Sequence, residues 1–270
     1  MNTATPALAV ATRRPIFGVP VYDLTWEAAL AFVAELAALS VGQVNVSFLN
    51  ANNANILHSD RRYREVLREH VVLPDGVGID LASRVLNGRS FSANLNGTDF
   101  IPALLTYLDT PKRVGLLGGH PDVLKIATER FRRHAPWHTF IPVSDGYFSD
   151  KPLAEVLDHL ASLDLDVLIV GMGTPLQEKW IAENIREDHA RLVFGVGALF
   201  DFVSGRVPRA PDWIRRLRFE WAYRLLLEPG RLWRRYVLGI PVFAWRVLRW
   251  RLLGAGRSSA DPARGATSRS

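Results

Sequence analysis

Cysteine is absent from the 270-residue chain. Disulfide frameworks, thiolate nucleophiles and Cys-ligated metals are thereby excluded, and the composition fits a reducing compartment. Histidine is sparse as well: seven residues, scattered, with no zinc spacing among them. Lysine occurs only at Lys112, Lys125, Lys151 and Lys179, so positive charge is carried almost wholly by arginine. No apolar run reaches the roughly 20 residues needed to span a bilayer. The longest candidate, YVLGIPVFAW, is followed at once by Arg246, Arg249 and Arg251. A secretory leader is not indicated, because the Arg13–Arg14 pair follows its apolar run where a leader has the charges first.

What is present suits one large domain with an appendage: 48% of the residues are hydrophobic, enough for a sizeable core. The net charge of +6 is unevenly spread. From Arg209 to Arg257 twelve arginines face three acids, Asp212, Glu220 and Glu228, and five of the eight tryptophans lie in the same segment. The first 208 residues hold more acids than bases. A basic, Trp-rich C-terminal segment points to an anionic partner, nucleic acid or a membrane surface.

Hydrophobic periodicity alternates along the chain. TWEAALAFVAELAAL reads as a helix capped by Thr25, QVNVSFLN as a strand, NANILHSDRRYREVLREH as one helix and VVLP as a short strand. GVGIDLASRVL and GTDFIPALLTYL open further helices, the second with Thr98 or Asp99 near its cap. RVGLLGG, HTFIPVS, DVLIVGMG and RLVFGVG follow as strands, each separated from the next by a helical pattern. This alternation predicts an α/β fold: a Rossmann-like, mostly parallel sheet with helices on both faces. The strands are continuous apolar runs, as a sheet covered on both sides requires. After Pro208 the alternation stops and helical, Arg/Trp-rich segments follow. The expected divisions are a disordered stretch over 1–15, the α/β core over 16–205, a basic helical appendage over 206–256 and a disordered tail over 257–270.

In an open parallel sheet, ligands bind beyond the C-terminal strand ends. Those ends carry Asn50, Asn52 and Asn53; Asp75; Gly118, Gly119 and His120; Asp145; Gly171, Gly173, Gln177 and Glu178; and Gly195, Gly197 and Asp201. Several glycine-bearing loops at one edge favour a nucleotide-type site, since small residues let the backbone approach phosphate. Asp75, in the turn VVLPDGVGID, is by its own chemistry a turn former first, and its position at the glycine-lined edge makes a catalyst an equal reading; Asp80 reads as first-turn helix charge. GLLGGHPD lacks the glycine spacing and the ribose acid of a dinucleotide fingerprint. Asp164-Leu165-Asp166 has the form of a metal-holding DxD but precedes its strand, at the wrong edge of the sheet. Arg224, Arg231 and Arg234, at spacings of seven and three, share a helical face, with Pro229 between the first and the other two. Such a face is either solvated or an anion clamp.

PDGVGID, NGTDF, GMGTPLQEKW, GVGALFDFVSGRVPRAP and FEWAYRLLLEPGRLWRRY together resemble the WecG/TagA/CpsF glycosyltransferases, family 26, over about residues 45–236. The resemblance implies an α/β core with a C-terminal appendage. It also implies transfer of a sugar, with inversion, from a UDP donor to a sugar on undecaprenyl diphosphate, without metal or other cofactor. It gives Asp75 as general base. Substrate contacts fall on Asn50 and Asn52, on Gly76, Gly97 and Asp99, on Gly171, Gly173, Gln177 and Glu178, on Asp201, and on Arg224, Arg231 and Arg234. Asn50 stands in place of the family's usual Thr and Leu176 in place of its Lys. Asn94 occupies the substrate-site position where many members have an Arg, so that Arg's role does not carry over. The NLNGTDF form is similar to the exopolysaccharide branch with its xanthan-type glucosyltransferases, which leans the donor toward UDP-glucose. N-acetylmannosaminyl or N-acetylmannosaminuronyl transfer, of teichoic-acid or common-antigen type, is the alternative. The expected place of action is the inner face of the cytoplasmic membrane, with peripheral attachment to anionic lipid through 232–253. Self-association is compatible with all of this. A nucleic-acid-binding module explains the basic tail but not the glycines and acids at the sheet edge, so nucleic acid is not expected as a partner.

Overall fold

The computed structural model describes residues 11–39, 42–146, 152–211, 213–214 and 219–253. Its centre is an eight-stranded sheet: β1 (Thr12–Ile16), β2 (Val19–Asp23), β3 (Val44–Leu49), β4 (Val71–Pro74), β5 (Arg113–Gly118), β6 (Thr139–Ser144), β7 (Leu165–Gly171) and β8 (Ala190–Gly195). The spatial order is β1-β2-β4-β3-β8-β7-β5-β6. Only β1 and β2 pair antiparallel; every other neighbouring pair is parallel.

The helices are α1 (Trp26–Ala37), α2 (Ala51–Ser59), α3 (Arg61–Arg68), α4 (Val77–Asn87), α5 (Gly97–Tyr107), α6 (Pro121–His134), α7 (Leu153–Ser162), α8 (Leu176–Asn184) and α9 (Leu199–Ser204). They are followed by α10 (Glu220–Leu227), α11 (Pro229–Trp233), a π-helical turn (Arg234–Leu238) and α12 (Gly239–Leu252). The strand pleat sorts the core into two layers. Val46, Phe48, Val71, Leu73, Val167 and Ile169 point to one face, under α1, α5, α6 and α9. On the other face Leu49 and Val72 meet α2, α3, α4 and α12, while Leu168 and Val170 meet α7 and α8.

The α/β architecture with its helical C-terminal appendage is as the sequence predicts. Several elements differ; β2 and α9 have no counterpart in the sequence-based expectation. The disorder expected through residue 15 is corrected for 12–15, which lie in β1, an edge strand hairpinned onto β2 by the turn at Phe17–Gly18. The long helix expected after β3 is two, because the Asp60 carboxylate accepts from Tyr63 N at 2.9 Å and starts a new N-terminus. The cap of α5 is Asn96, whose side chain accepts from Asp99 N at 3.0 Å, in place of Thr98 or Asp99. The tail over 257–270 lies outside the described residues.

α12 is docked on the core. Phe243 and Val247 are buried in the cluster shared with α2 and α4, and Trp250 packs on Phe17. Asn55 Nδ2 donates to Gly239 O at 2.8 Å, and the Arg246 guanidinium donates to Asn55 O at 2.7 Å. The appendage therefore returns across the C-terminal edge of the sheet and roofs it.

Candidate active site

β3 and β4 lie side by side with Leu49 opposite Pro74, so the residues that follow them, Asn50 and Asp75, emerge at the same height. Asp75 N continues the ladder by donating to Leu49 O at 2.9 Å. The Asn50 amide is held at both ends: its Oδ1 accepts from Asn53 N at 3.0 Å, capping α2, and its Nδ2 donates to Asp75 Oδ2 at 3.2 Å. Gly76 has φ +87°, a left-handed conformation that a side chain disfavours, and its N–H donates to Asn94 Oδ1 at 2.7 Å. Leu95 N donates to Pro74 O at 2.8 Å, so the 94–95 segment clamps the turn from the far side.

Above this floor is a cavity of about 390 Å³, a size that suits a small ligand. Asn50, Asn52, Asp75, Gly76, Asn94, Asn96 and Thr98 form its floor and wall. The roof is Phe202 from α9, Glu220, Trp221 and Arg224 from α10, Arg235 and Tyr236 from the π turn, and Gly239, Ile240 and Phe243 from α12. A wider hollow of about 680 Å³ lies at the opposite edge of the sheet, between Gln43 and Asp188, but it is an open groove without converging catalytic groups.

Burial pushes the Asp75 carboxyl above the usual carboxylate range; the Asn50 hydrogen bond opposes this first, then the charges of Arg235 and Arg224. Glu220 is also raised, chiefly by burial, with Arg209 opposing and the Asp99 and Asp75 charges adding to the rise. Two carboxylates and two guanidiniums thus share one pocket. The Arg224 guanidinium lies 4.9 Å from the centre of the Phe202 ring. Its Nε, like that of Arg235, is shut from solvent and has no hydrogen-bond partner.

The structure divides the residues singled out in the sequence. Asp75, Asn50, Asn52, Gly76, Asn94 and Arg224 converge on the cavity. Gln177 and Glu178 do not; each is about 1% exposed. Gln177 Oε1 accepts from Gly173 N at 3.1 Å and Gly197 N at 2.9 Å, tying together the loops after β7 and β8. Glu178 Oε1 accepts from Gln177 Nε2 at 2.9 Å and Thr174 Oγ1 at 2.8 Å, and burial raises its pKa. Gly97 and Gly171 are sites of close packing: a Cβ there would come within 2.9 Å of the Phe48 ring and 2.8 Å of the Phe200 ring respectively. Asp99 pairs with Arg209 at 2.7 Å, away from the cavity lining, and Asp201 sits in α9 outside that lining. Arg234 is exposed, its guanidinium over the Trp233 ring. The Arg231 side chain lies outside the described residues. Asp164 and Asp166 stand at the far edge, where Asp166 accepts from Arg113 N at 2.8 Å and pairs with Lys112. Among the described residues no group of three or more His, Asp or Glu side chains is placed to hold a metal ion.

Sequence reasoning missed Glu220, Trp221, Arg235 and Tyr236. Glu220 had a signal: it precedes Arg224 by four residues and so shares its helical face. Arg235 had one as well: it follows Arg231 by four residues, the spacing of one helical face.

The chain is 37% identical over 207 residues to an N-acetylglucosaminyldiphosphoundecaprenol N-acetyl-beta-D-mannosaminyltransferase of Bacillus subtilis (strain 168), covering 76% of this chain and 78% of that one. It is 34% identical over 236 residues to the enzyme of the same name from Bacillus spizizenii, covering 86% and 88%. These relatives favour the mannosaminyl alternative over the glucosyl reading of NLNGTDF. The model of the glycosyl transferase WecG/TagA/CpsF family matches residues 14–257, and the chain, a glycosyltransferase, belongs to that family.

Proposed function

We propose that the protein transfers an N-acetylmannosaminyl group from a UDP donor to the N-acetylglucosamine of an undecaprenyl-diphosphate-linked acceptor, with inversion and without a metal. The observation that carries the reading is Asp75, held by Asn50 at the floor of a cavity roofed by arginines. The two relatives supply the substrate class.

Asp75 takes the proton of the acceptor hydroxyl. The hydroxyl oxygen forms the new bond to the anomeric carbon from the face opposite the donor diphosphate. The old carbon–oxygen bond breaks, and UDP leaves with the electron pair. Arg224 stabilises the charge that develops there, as a metal does in other transferases. Burial of Asp75 makes it a stronger base than a solvated carboxylate while the guanidiniums keep it ionised. Asn52 and Glu220 supply acceptors for sugar hydroxyls.

The glucose donor drew its support from NLNGTDF. In that segment Asn94 holds the Asp75–Gly76 turn and Asn96 caps α5, so local structure accounts for both residues without reference to a donor. Incubation with UDP-N-acetylmannosamine, UDP-N-acetylmannosaminuronic acid and UDP-glucose, each with a short-chain lipid-diphosphate N-acetylglucosamine, tests the reading. The first donor is expected to give product fastest; preference for UDP-glucose would overturn it. Peripheral attachment to the membrane that carries the acceptor is part of the same proposal. Among the described residues no helix is long and apolar enough to cross a membrane.

A further inference from the structure

The strands β4, β3, β8 and β7 are neighbours in that order. Asp75 follows β4, Asn50 and the first turn of α2 follow β3, Gly197 follows β8, and Gly173 and Thr174 follow β7. A chain of hydrogen bonds crosses these four strand ends, and its two branches meet at Glu178 Oε1. On one branch that oxygen accepts from Gln177 Nε2, which leaves Gln177 Oε1 to accept from Gly173 N and Gly197 N. On the other it accepts from Thr174 Oγ1. With its one proton so committed, the Thr174 hydroxyl turns a lone pair to Asn53 Nδ2, which donates to it at 3.5 Å. Asn53 Nδ2 also donates to Phe48 O at 3.1 Å, and the amide so oriented accepts at Oδ1 from Asn52 Nδ2 at 3.4 Å. Asn53 thus pins the first turn of α2, and its backbone N–H donates to Asn50 Oδ1, which sets the Asn50 amide against Asp75.

Glu178 is an expensive residue to keep at this place. It is about 1% exposed, and its Oε2 is shut from solvent with no hydrogen-bond partner among the described residues. A methionine would fill much the same volume without the cost of burying a carboxyl. What an apolar side chain cannot supply is one acceptor for two donors. A carboxyl supplies it in either protonation state, because the neutral form keeps its carbonyl oxygen. The packing around the pair is matched to it: Gly195 ends β8 against Gln177, and a Cβ there would come within 3.0 Å of Gln177 Nε2.

We propose that Glu178 is a positioning residue for the transfer reaction: its Oε1 fixes the donor–acceptor sense of both branches, so a group buried outside the cavity sets the Asn50 amide that orients Asp75 and holds the β7 and β8 loops in place beside it. The proposal deepens the transferase reading and rests on it for the reaction; the link itself is read without turnover.

Amide hydrogen exchange of the full chain, followed by NMR, reads the link, and kcat per folded protein reads its consequence. Glu178→Met removes the shared acceptor. Exchange at the Asn53, Gly173 and Gly197 N–H groups is expected to quicken about fivefold or more. The same variant is expected to lose about 10²-fold in kcat, the effect of a displaced reacting group. Thr174→Val cuts one branch alone: exchange quickens at Asn53 but not at Gly173 or Gly197, and kcat falls. This variant serves if Glu178→Met fails to fold. Glu178→Gln keeps an acceptor oxygen and is expected to return exchange and kcat toward wild type. Lys179→Gln, which breaks the ion pair from the next residue of α8 to Asp60, lowers stability and leaves kcat unchanged. Thr174→Val with Asn50→Ala closes a double-mutant cycle. Because the branch acts through Asn50, the double variant is expected to be no slower than the slower single one. Effects that multiply in that cycle, unchanged exchange at Asn53 in Glu178→Met, or a Glu178→Gln variant as slow as Glu178→Met overturns the proposal. A wild type that turns over no UDP-sugar donor overturns the transferase reading instead, and exchange at Asn53, Gly173 and Gly197 then decides the link by itself.

Discussion

Asn50 uses one amide for two tasks. Its oxygen is committed to the N-terminus of α2, so its nitrogen must face Asp75, and the orientation of the Asp75 carboxylate is fixed by a helix cap. Asn50→Ala should therefore lower stability by about 1 kcal/mol through the lost cap. It should also raise the acid limb of the pH–rate profile, because the carboxylate loses a donor that favours its charge. Asn50→Asp separates the two: it keeps the cap, so thermal stability changes little, but sets a like charge against Asp75 and cuts the rate. If both variants keep wild-type pH profiles, Asn50 is only a cap. Asp75→Asn should slow transfer by about 10²–10⁴-fold while UDP binding, followed by calorimetry, survives. The residues legible in the sequence at this scale were those whose position alone decides their role. A residue following β3 or β4 at the ligand edge meets the cavity. Gln177 and Glu178 occupy the same kind of position after β7, yet they turn inward to tie loops together. Position at the edge gives the layer; which side of the loop a side chain takes depends on partners far away in sequence.

At the scale of elements, the parallel strands were legible because both faces are covered and each reads as an unbroken apolar run. β1 was not. Its sequence, TRRPI, puts the buried Arg14 on the strand, where the guanidinium bonds Asp23 and, at 3.0 Å, Arg89 O. A charge satisfied by partners up to 76 residues away has no local signature. The pairing of β3 with β4 holds a second buried polar contact with a measurable consequence. His70, at the start of β4, meets Ser47 Oγ through Nδ1 at 2.9 Å, and burial lowers its pKa to about 4. The unfolded chain binds this proton near pH 6.5 and the folded one only near pH 4, so the stability His70 gives above pH 6.5 is lost as pH falls to about 4. The full effect is about 3 kcal/mol. His58 and His138 shift in the same direction, whereas Asp75, Glu178 and Glu220, raised by burial, shift the balance the other way. The quantity to measure is therefore a difference. Urea unfolding of wild type and His70→Asn between pH 7 and pH 4 should show wild type losing its advantage as pH falls. A pH-independent difference would mean that His70 titrates normally in the fold.

At the scale of the whole molecule, the C-terminal helices face two ways. One side of α12 presents Phe243, Val247 and Trp250, at spacings of four and three, to the core. The other presents Val242, Trp245, Leu248 and Leu252, at spacings of three, three and four, and all are exposed, Leu252 at 83%. A helix apolar on both sides has one side packed and one side seeking a partner. Leu238 and Val237 of the π turn continue the exposed side, and Arg249, stacked on Trp245, borders it. Apolar and Trp side chains edged by arginine are the composition of an interfacial helix, and each arginine near anionic lipid adds about 1 kcal/mol. The same helix supplies Gly239, Ile240 and Phe243 to the roof of the cavity, so a membrane that holds the outer face lies next to the opening that the proposed lipid-linked acceptor would use. Co-sedimentation with vesicles containing anionic lipid should then be strong and salt-sensitive. Trp245→Ser with Leu248→Ser should weaken it by at least roughly tenfold, with little change in thermal stability because neither side chain is packed. Activity on a short-chain soluble acceptor should survive in that double variant, while activity on a vesicle-borne acceptor falls. Loss of both activities together would mean that the exposed face of α12 serves the roof of the site and not the membrane.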